Sequence, residues 1–172
     1  MKFIVLAACV AALAGCATTQ GTEAITTVSG FDNARVVDVA AHGNACKSLR
    51  CTGIGGQWNS KTPESVILTV YVFNEIKGIT GASLSINGKV TRLDPLPGLT
   101  NFSRPGSALR ESRKDFAVPL SVVREITTAN NAWLRVFTTE GYVEDQITDG
   151  KENSKAHYGL VRLLAAVDQP KK

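Results

Sequence analysis

The sequence predicts an α+β fold, with a mainly antiparallel sheet of about five to six strands and two helices on one face. Three observations carry this prediction. Ser65–Phe73 (SVILTVYVF) is an unbroken β-branched and aromatic run. Two turn signals, Asn87-Gly88 and Glu140-Gly141, each separate alternating segments that read as hairpins. Residues 119–129 and 153–167 repeat their apolar positions at helical spacing. No internal repeat is visible, and a folded region over 31–168 fits one domain with a sizeable core.

In chain order, residues 1–15 come first. Lys2 gives a positive start, and Phe3 to Leu13 is apolar, interrupted only by Cys9. The run is too short for a transmembrane helix, which needs about 20 residues. It has the form of a secretory signal. Leu13-Ala14-Gly15-Cys16 resembles the lipobox of bacterial lipoproteins. That resemblance covers the signal segment alone. It implies that the Cys16 thiol takes a diacylglyceryl group, that cleavage precedes Cys16, and that the new amine is acylated. Several acyl chains at one site anchor firmly, each buried CH₂ contributing about 0.8 kcal/mol. Ala17, not Asp, follows the cysteine, which resembles an outer-membrane, periplasm-facing address in Gram-negative sorting. The other reading is an ordinary signal peptide cut after Ala14 or Ala17.

Residues 16–30 then read as the lipidated cysteine and a small, polar, Thr-rich tether. Flexible, it spans about 20 Å; fully extended, about 45 Å. Alternatively Ala24 to Val28 adds an edge strand. Asn33 to Ala40 is the first strand candidate. His42 to Trp58 reads as a loop, with Gly43, Gly53, Gly55 and Gly56 and the remaining cysteine pair, Cys46 and Cys51. An even pair in an oxidising compartment reads as a disulfide, contributing about 2 kcal/mol in the chain-entropy account. The competing reading adds His42 as a metal or redox partner. It supplies three ligands where structural zinc sites take about four, and the spacing is not C-x-x-C. No metal and no cofactor is expected.

Ser65–Phe73 carries apolar side chains on both faces, which implies a central strand packed on each side. Ala82 to Ile86 and Lys89 to Leu93 form the first hairpin. Leu84, Ile86 and Leu93 share its core face, and Ser83, Ser85 and Arg92 its wet face. Asp94 to Asp115, with three prolines, reads as one long irregular loop that Phe102 pins to the core. Pro119 suits the first position of the first helix. Ala132 to Thr138 and Tyr142 to Thr148 make the second hairpin, with Leu134, Val136, Val143 and Ile147 facing inward. Asn153 or Ser154 caps the last helix, whose apolar stripe is Leu160, Leu163, Leu164 and Val167; residues 169–172 are a tail.

Composition excludes some functions. Loss of Lys2 leaves 18 basic against 15 acidic residues, a net charge of +3, too mild for nucleic-acid binding without a clustered patch. The chain has two histidines, His42 and His157, and no G-x-S-x-G elbow. Gly53-Ile54-Gly55-Gly56 lacks the Lys-Ser/Thr and strand–helix context of a phosphate loop. Glu144 and Asp145 are adjacent on a strand, so they point to opposite faces and form no carboxylate dyad.

Two candidate binding surfaces remain. Trp133, Arg135, Phe137 and Tyr142 share the non-core face of the second hairpin, with Glu144 across from them. A helix over that face makes the aromatics core; left open, the cluster has the composition of an interface hot spot. Covering is the favoured expectation. The second surface is the loop with Arg104, Arg110, Arg113 and Lys114, suited to acidic protein, lipopolysaccharide phosphate or peptidoglycan carboxylate, or simply solvated. The expected function is a non-enzymatic, outer-membrane-anchored domain that binds an envelope protein or glycan. The alternatives are a small envelope hydrolase using His42 or His157, and a lysozyme-inhibitor-like lipoprotein. Like charge on that strongly basic target opposes the last.

Overall fold

Alternation within Ser65–Phe73 sets the orientation of the larger of two sheets. Val66, Leu68, Val70 and Val72 are at most 1% exposed, while Ile67, Thr69, Tyr71 and Phe73 are half-buried. The structure, a computed structural model, describes residues 20–169. The signal segment, Cys16 and residues 170–172 lie outside the described residues.

The described residues form an α+β fold, with antiparallel pairing throughout them and two helices among them. In order it runs β1 (Ala24–Val28), β2 (Arg35–Gly43), β3 (Cys51–Asn59), β4 (Ser65–Phe73), β5 (Ile79–Ile86), β6 (Lys89–Arg92), β7 (Asp94–Pro95), β8 (Asn101–Phe102) and β9 (Glu111–Pro119). Then come α1 (Leu120–Thr128), β10 (Ala132–Thr138), β11 (Gly141–Thr148) and α2 (Lys155–Val167). The described strands divide between a seven-stranded sheet, β1-β2-β3-β4-β9-β7 with β8 also on β9, and a four-stranded sheet, β11-β10-β5-β6. One hydrophobic cluster joins both sheets and both helices.

Helix α2 is built as the sequence predicts. Ser154 Oγ accepts the backbone N–H of His157 at 3.1 Å. Leu160, Leu163, Leu164 and Val167 are all buried. The helix lies on β2 and β3, and its C-terminal carbonyls are satisfied from the sheet. Arg35 of β2 donates to the carbonyls of Ala166, Val167 and Gln169 at 3.3, 2.7 and 3.0 Å. Close approach requires Gly56 of β3, where a Cβ would stand 2.9 Å from Leu163 Cδ2.

Several expectations are corrected here. His42 to Trp58 is not one loop, because β2 continues to Gly43 and Cys51–Asn59 is a fully paired strand between β2 and β4. Its glycines serve close packing. The stretch 94–115 is not one irregular loop either. β9 starts at Glu111 and pairs along the whole of β4. Phe102 pins nothing, since it pairs on β8 with its side chain 51% exposed. Among the described residues no layer packs on the second face of β4, which lines a shallow concavity instead. Ala24–Val28 pairs with β2 as an edge strand, so the tether ends before it. The second hairpin turns at Thr139-Glu140, one residue early. This changes the register by two residues and leaves every side chain on its expected face.

Candidate ligand-binding face

The four-stranded sheet buries one face. Ala82, Leu84, Leu134, Val136 and Ile147 are in the core. Strand parity then forces the alternating residues onto the opposite face. Pairing aligns them in three cross-strand rows. Val90, Ser85, Trp133 and Gln146 form the first, and Arg92, Ser83, Arg135 and Glu144 the second. Gly81, Phe137 and Tyr142 form the third. Both helices pack on other elements, α2 chiefly on β2 and β3 and α1 on α2, β9 and β4. The expected helical cover is therefore absent from this face among the described residues. The aromatics are not core: Trp133 and Phe137 are half-buried, and Tyr142 is 56% exposed.

What results is a trough of about 320 Å³ lined by Ser83, Ser85, Val90, Trp133, Arg135, Phe137 and Glu144. Arg135 donates to Glu144 Oε2 from Nε at 2.7 Å and from Nη2 at 2.6 Å, and its guanidinium lies 4.6 Å from the Tyr142 ring centroid. Lys47 Nζ lies 5.7 Å from the Trp133 centroid. Lys47 comes from the cysteine loop, which the Cys46–Cys51 disulfide closes and the Ala45 N–H ties to the Gln146 carbonyl at 2.8 Å. The disulfide thus holds a cation at one end of the trough. Ser83, Ser85, Val90, Arg92 and Lys47 were not singled out as site residues. Their signal was partly present, since Ser83, Ser85 and Arg92 already shared the wet face of the first hairpin.

The second sequence-derived surface does not assemble. Arg104 and Arg110 are exposed in the segment between β8 and β9. Arg113 and Lys114 are instead neighbours on β9, so they point to opposite faces. Arg113 donates to Tyr71 Oη at 3.3 Å, and Lys114 donates to the Gly98 carbonyl at 2.7 Å. The concavity over β3 and β4, about 230 Å³, is lined partly by Asp38, Gln57, Thr69 and Asp115. These groups satisfy one another: Gln57 donates to Asp38 at 2.8 Å and Thr69 to Asp115 at 2.7 Å.

The histidines sit apart from both surfaces. His42 pairs with core-facing Ile54, whereas Asp38 pairs with Gln57 on the other side of the sheet. Beside the two cysteine sulfurs the third potential donor is Asp145, not His42. His157 is buried, with Nε2 donating to the Thr127 carbonyl at 3.3 Å in the tautomer that carries its proton there. Burial pushes both imidazoles below their ordinary value; the Lys155 charge adds to this at His42, and the Thr127 bond opposes it at His157. The unfolded chain therefore binds more protons than the native one as pH falls below about 6.5. Stability is flat in this respect above that value and declines below it. We expect calorimetric midpoints to fall from pH 6.5 toward 5, with a slope of at most about 1.4 kcal/mol per pH unit from His157. A His157→Gln variant, which keeps a donor for Thr127, should show a shallower decline; an unchanged slope would refute this assignment.

Comparison with known protein families, with curated proteins and with solved structures finds no match for this chain.

Proposed function

We propose that this chain is a lipoprotein anchored through Cys16 at the periplasmic face of the outer membrane, and that its domain binds an envelope protein or glycan. The observation that carries the reading is the open trough on the four-stranded sheet. Aromatic and guanidinium side chains on an uncovered, rigid sheet face are the composition of binding hot spots. The mechanism is association with no covalent step. The lipobox resemblance supports the location, and the disulfide agrees with an oxidising compartment. Thr22 is already buried in the domain. From Cys16 to Thr22 the chain takes six steps and so reaches no more than about 22 Å. Such a short link keeps the domain at the membrane surface, so a weak contact gains from high effective concentration.

Photocrosslinking in cells tests this. A photoreactive residue replacing Tyr142, at the rim of the trough, should trap a discrete envelope component. One replacing Val28, more exposed still and on the edge strand of the other sheet, should not. Identical, diffuse products from both positions would sink the binding reading. In the same cells Cys16→Ala should leave the membrane fraction; persistence there would sink the anchor.

A further inference from the structure

The floor of the trough indicates the chemical class of its occupant, taking the face as the binding surface proposed above. We infer that the trough takes an acidic amino-sugar glycan of the cell-wall kind, with sugar rings on Trp133 and Phe137 and a carboxylate on Arg92. β5, which forms the floor, is paired on both sides, by β6 and by β10. It offers no free edge (the edges of this sheet are β6 and β11), so an occupant lying in the trough itself is not held by strand addition. Recognition must come from side chains.

Those side chains have a definite relief. Along the floor stand Ser83 and Ser85, with Trp133, Arg135 and Phe137 on one side and Val90 on the other; Gly81 and Arg92 continue the rows just beyond, at the Phe137 end. The groove between them follows β5 for about 13 Å, at about 3.3 Å per residue. That suits a short oligosaccharide. A sugar ring has an apolar C–H face for the half-buried aromatic rings and hydroxyl groups for the serines, which both donate and accept.

Charge decides between neutral and acidic glycans. Arg92 and Arg135 flank Ser83 in one row. A Cβ on Gly81 would stand 3.4 Å from Arg92 Nη2 and 3.8 Å from Phe137 Cδ2, so the guanidinium and the ring converge over the glycine. Arg135 is compensated by Glu144. Among the described residues Arg92 has no ion pair, and Lys47 at the Trp133 end adds a further cation. Arg92, Arg135 and Lys47 against Glu144 leave the face net positive. A guanidinium meets a carboxylate through two parallel N–H bonds, and the peptides attached to cell-wall glycan carry such carboxylates.

The test uses the lipidated full-length protein in detergent. It combines cosedimentation with purified peptidoglycan sacculi and titration with soluble disaccharide–peptide fragments, read by tryptophan emission. Trp58 is buried, so the emission change reports Trp133. Sacculi should carry the protein down, and Arg92→Gln should weaken fragment binding about tenfold or more. Arg92 makes no internal ion pair, so this variant keeps its fold, checked by its melting curve. Neutral chitin oligosaccharide should bind more weakly, and lipopolysaccharide vesicles should not compete. No cosedimentation, equal affinity for the neutral oligomer, unchanged binding by Arg92→Gln, or competition by the vesicles each overturns the inference. A protein trapped at position 142 without sacculus binding overturns it and leaves the binding face standing. Neither trapping nor sacculus binding overturns both.

Discussion

Gly53→Val is expected to cost about 3 kcal/mol or more, because it forces a branched side chain into an occupied space. For a chain of this size that lowers the unfolding midpoint by roughly 6–12 °C. A Cβ built on Gly53 runs into the Phe73 ring and stands 2.7 Å from the His42 carbonyl oxygen. The ring can swing aside, although it is stacked on Tyr71 with centroids 5.4 Å apart. The carbonyl cannot, because it belongs to β2 where His42 and Gly43 pair with Ile54 and Gly53. The two obstacles separate experimentally. Combining Gly53→Val with Phe73→Leu should recover part of the loss and leave the share due to the carbonyl. Thr91→Val, on exposed β6, is a control expected within about 0.5 kcal/mol of the parent. A melting curve for Gly53→Val that overlays the parent curve would show that β3 does not pass this close to β2.

The same glycines explain why β3 reads as a loop in the sequence. Strand propensity measures how side chains fill a pleated surface, and Cys51–Asn59 has few to fill it with. Its glycines admit Leu163 from α2 on one face and the Phe73 ring on the other. Those partners are distant in sequence, so a local window sees only turn-forming composition. β9 was lost for a related reason. Its charged residues, Glu111, Arg113, Lys114 and Asp115, sit at one end of the strand, whereas the buried Phe116 and Val118 sit at the other. Segments whose own alternation carries the signal, such as Ser65–Phe73, and stripes such as Leu160 to Val167, were legible. The candidate site was legible by halves. Each hairpin showed its wet face, one with Ser83, Ser85 and Arg92, the other with Trp133, Arg135 and Phe137. The antiparallel pairing of β5 with β10 makes one trough of the two. That pairing is a long-range contact that neither hairpin encodes alone.

Asp145→Ala carries the second large effect, about 3 kcal/mol, by leaving buried donors without an acceptor. Asp145 Oδ2 accepts the Thr52 backbone N–H at 2.6 Å and the Thr52 hydroxyl at 2.9 Å. Thr52 is fully buried and Asp145 is 5% exposed. Asn44 Nδ2 in turn donates to Thr52 Oγ1 at 2.9 Å. This polar chain crosses from the cysteine loop through β3 to β11, where the two sheets meet. It also bears on the trough: the residue beside Asp145 is Glu144, which holds Arg135, and the loop that begins at Asn44 carries Lys47. Urea unfolding of a double-mutant cycle with Thr52→Val resolves the network. Thr52→Val removes the hydroxyl but not the backbone N–H. That donor stays unpaired in both variants lacking the carboxylate, so the two single costs should sum to more than the double. Asp145→Asn keeps an oxygen acceptor and should cost only about 1 kcal/mol. A loss below about 0.5 kcal/mol in Asp145→Ala would mean that water already reaches the Thr52 N–H, and the polar seam between the sheets would then be solvated rather than closed.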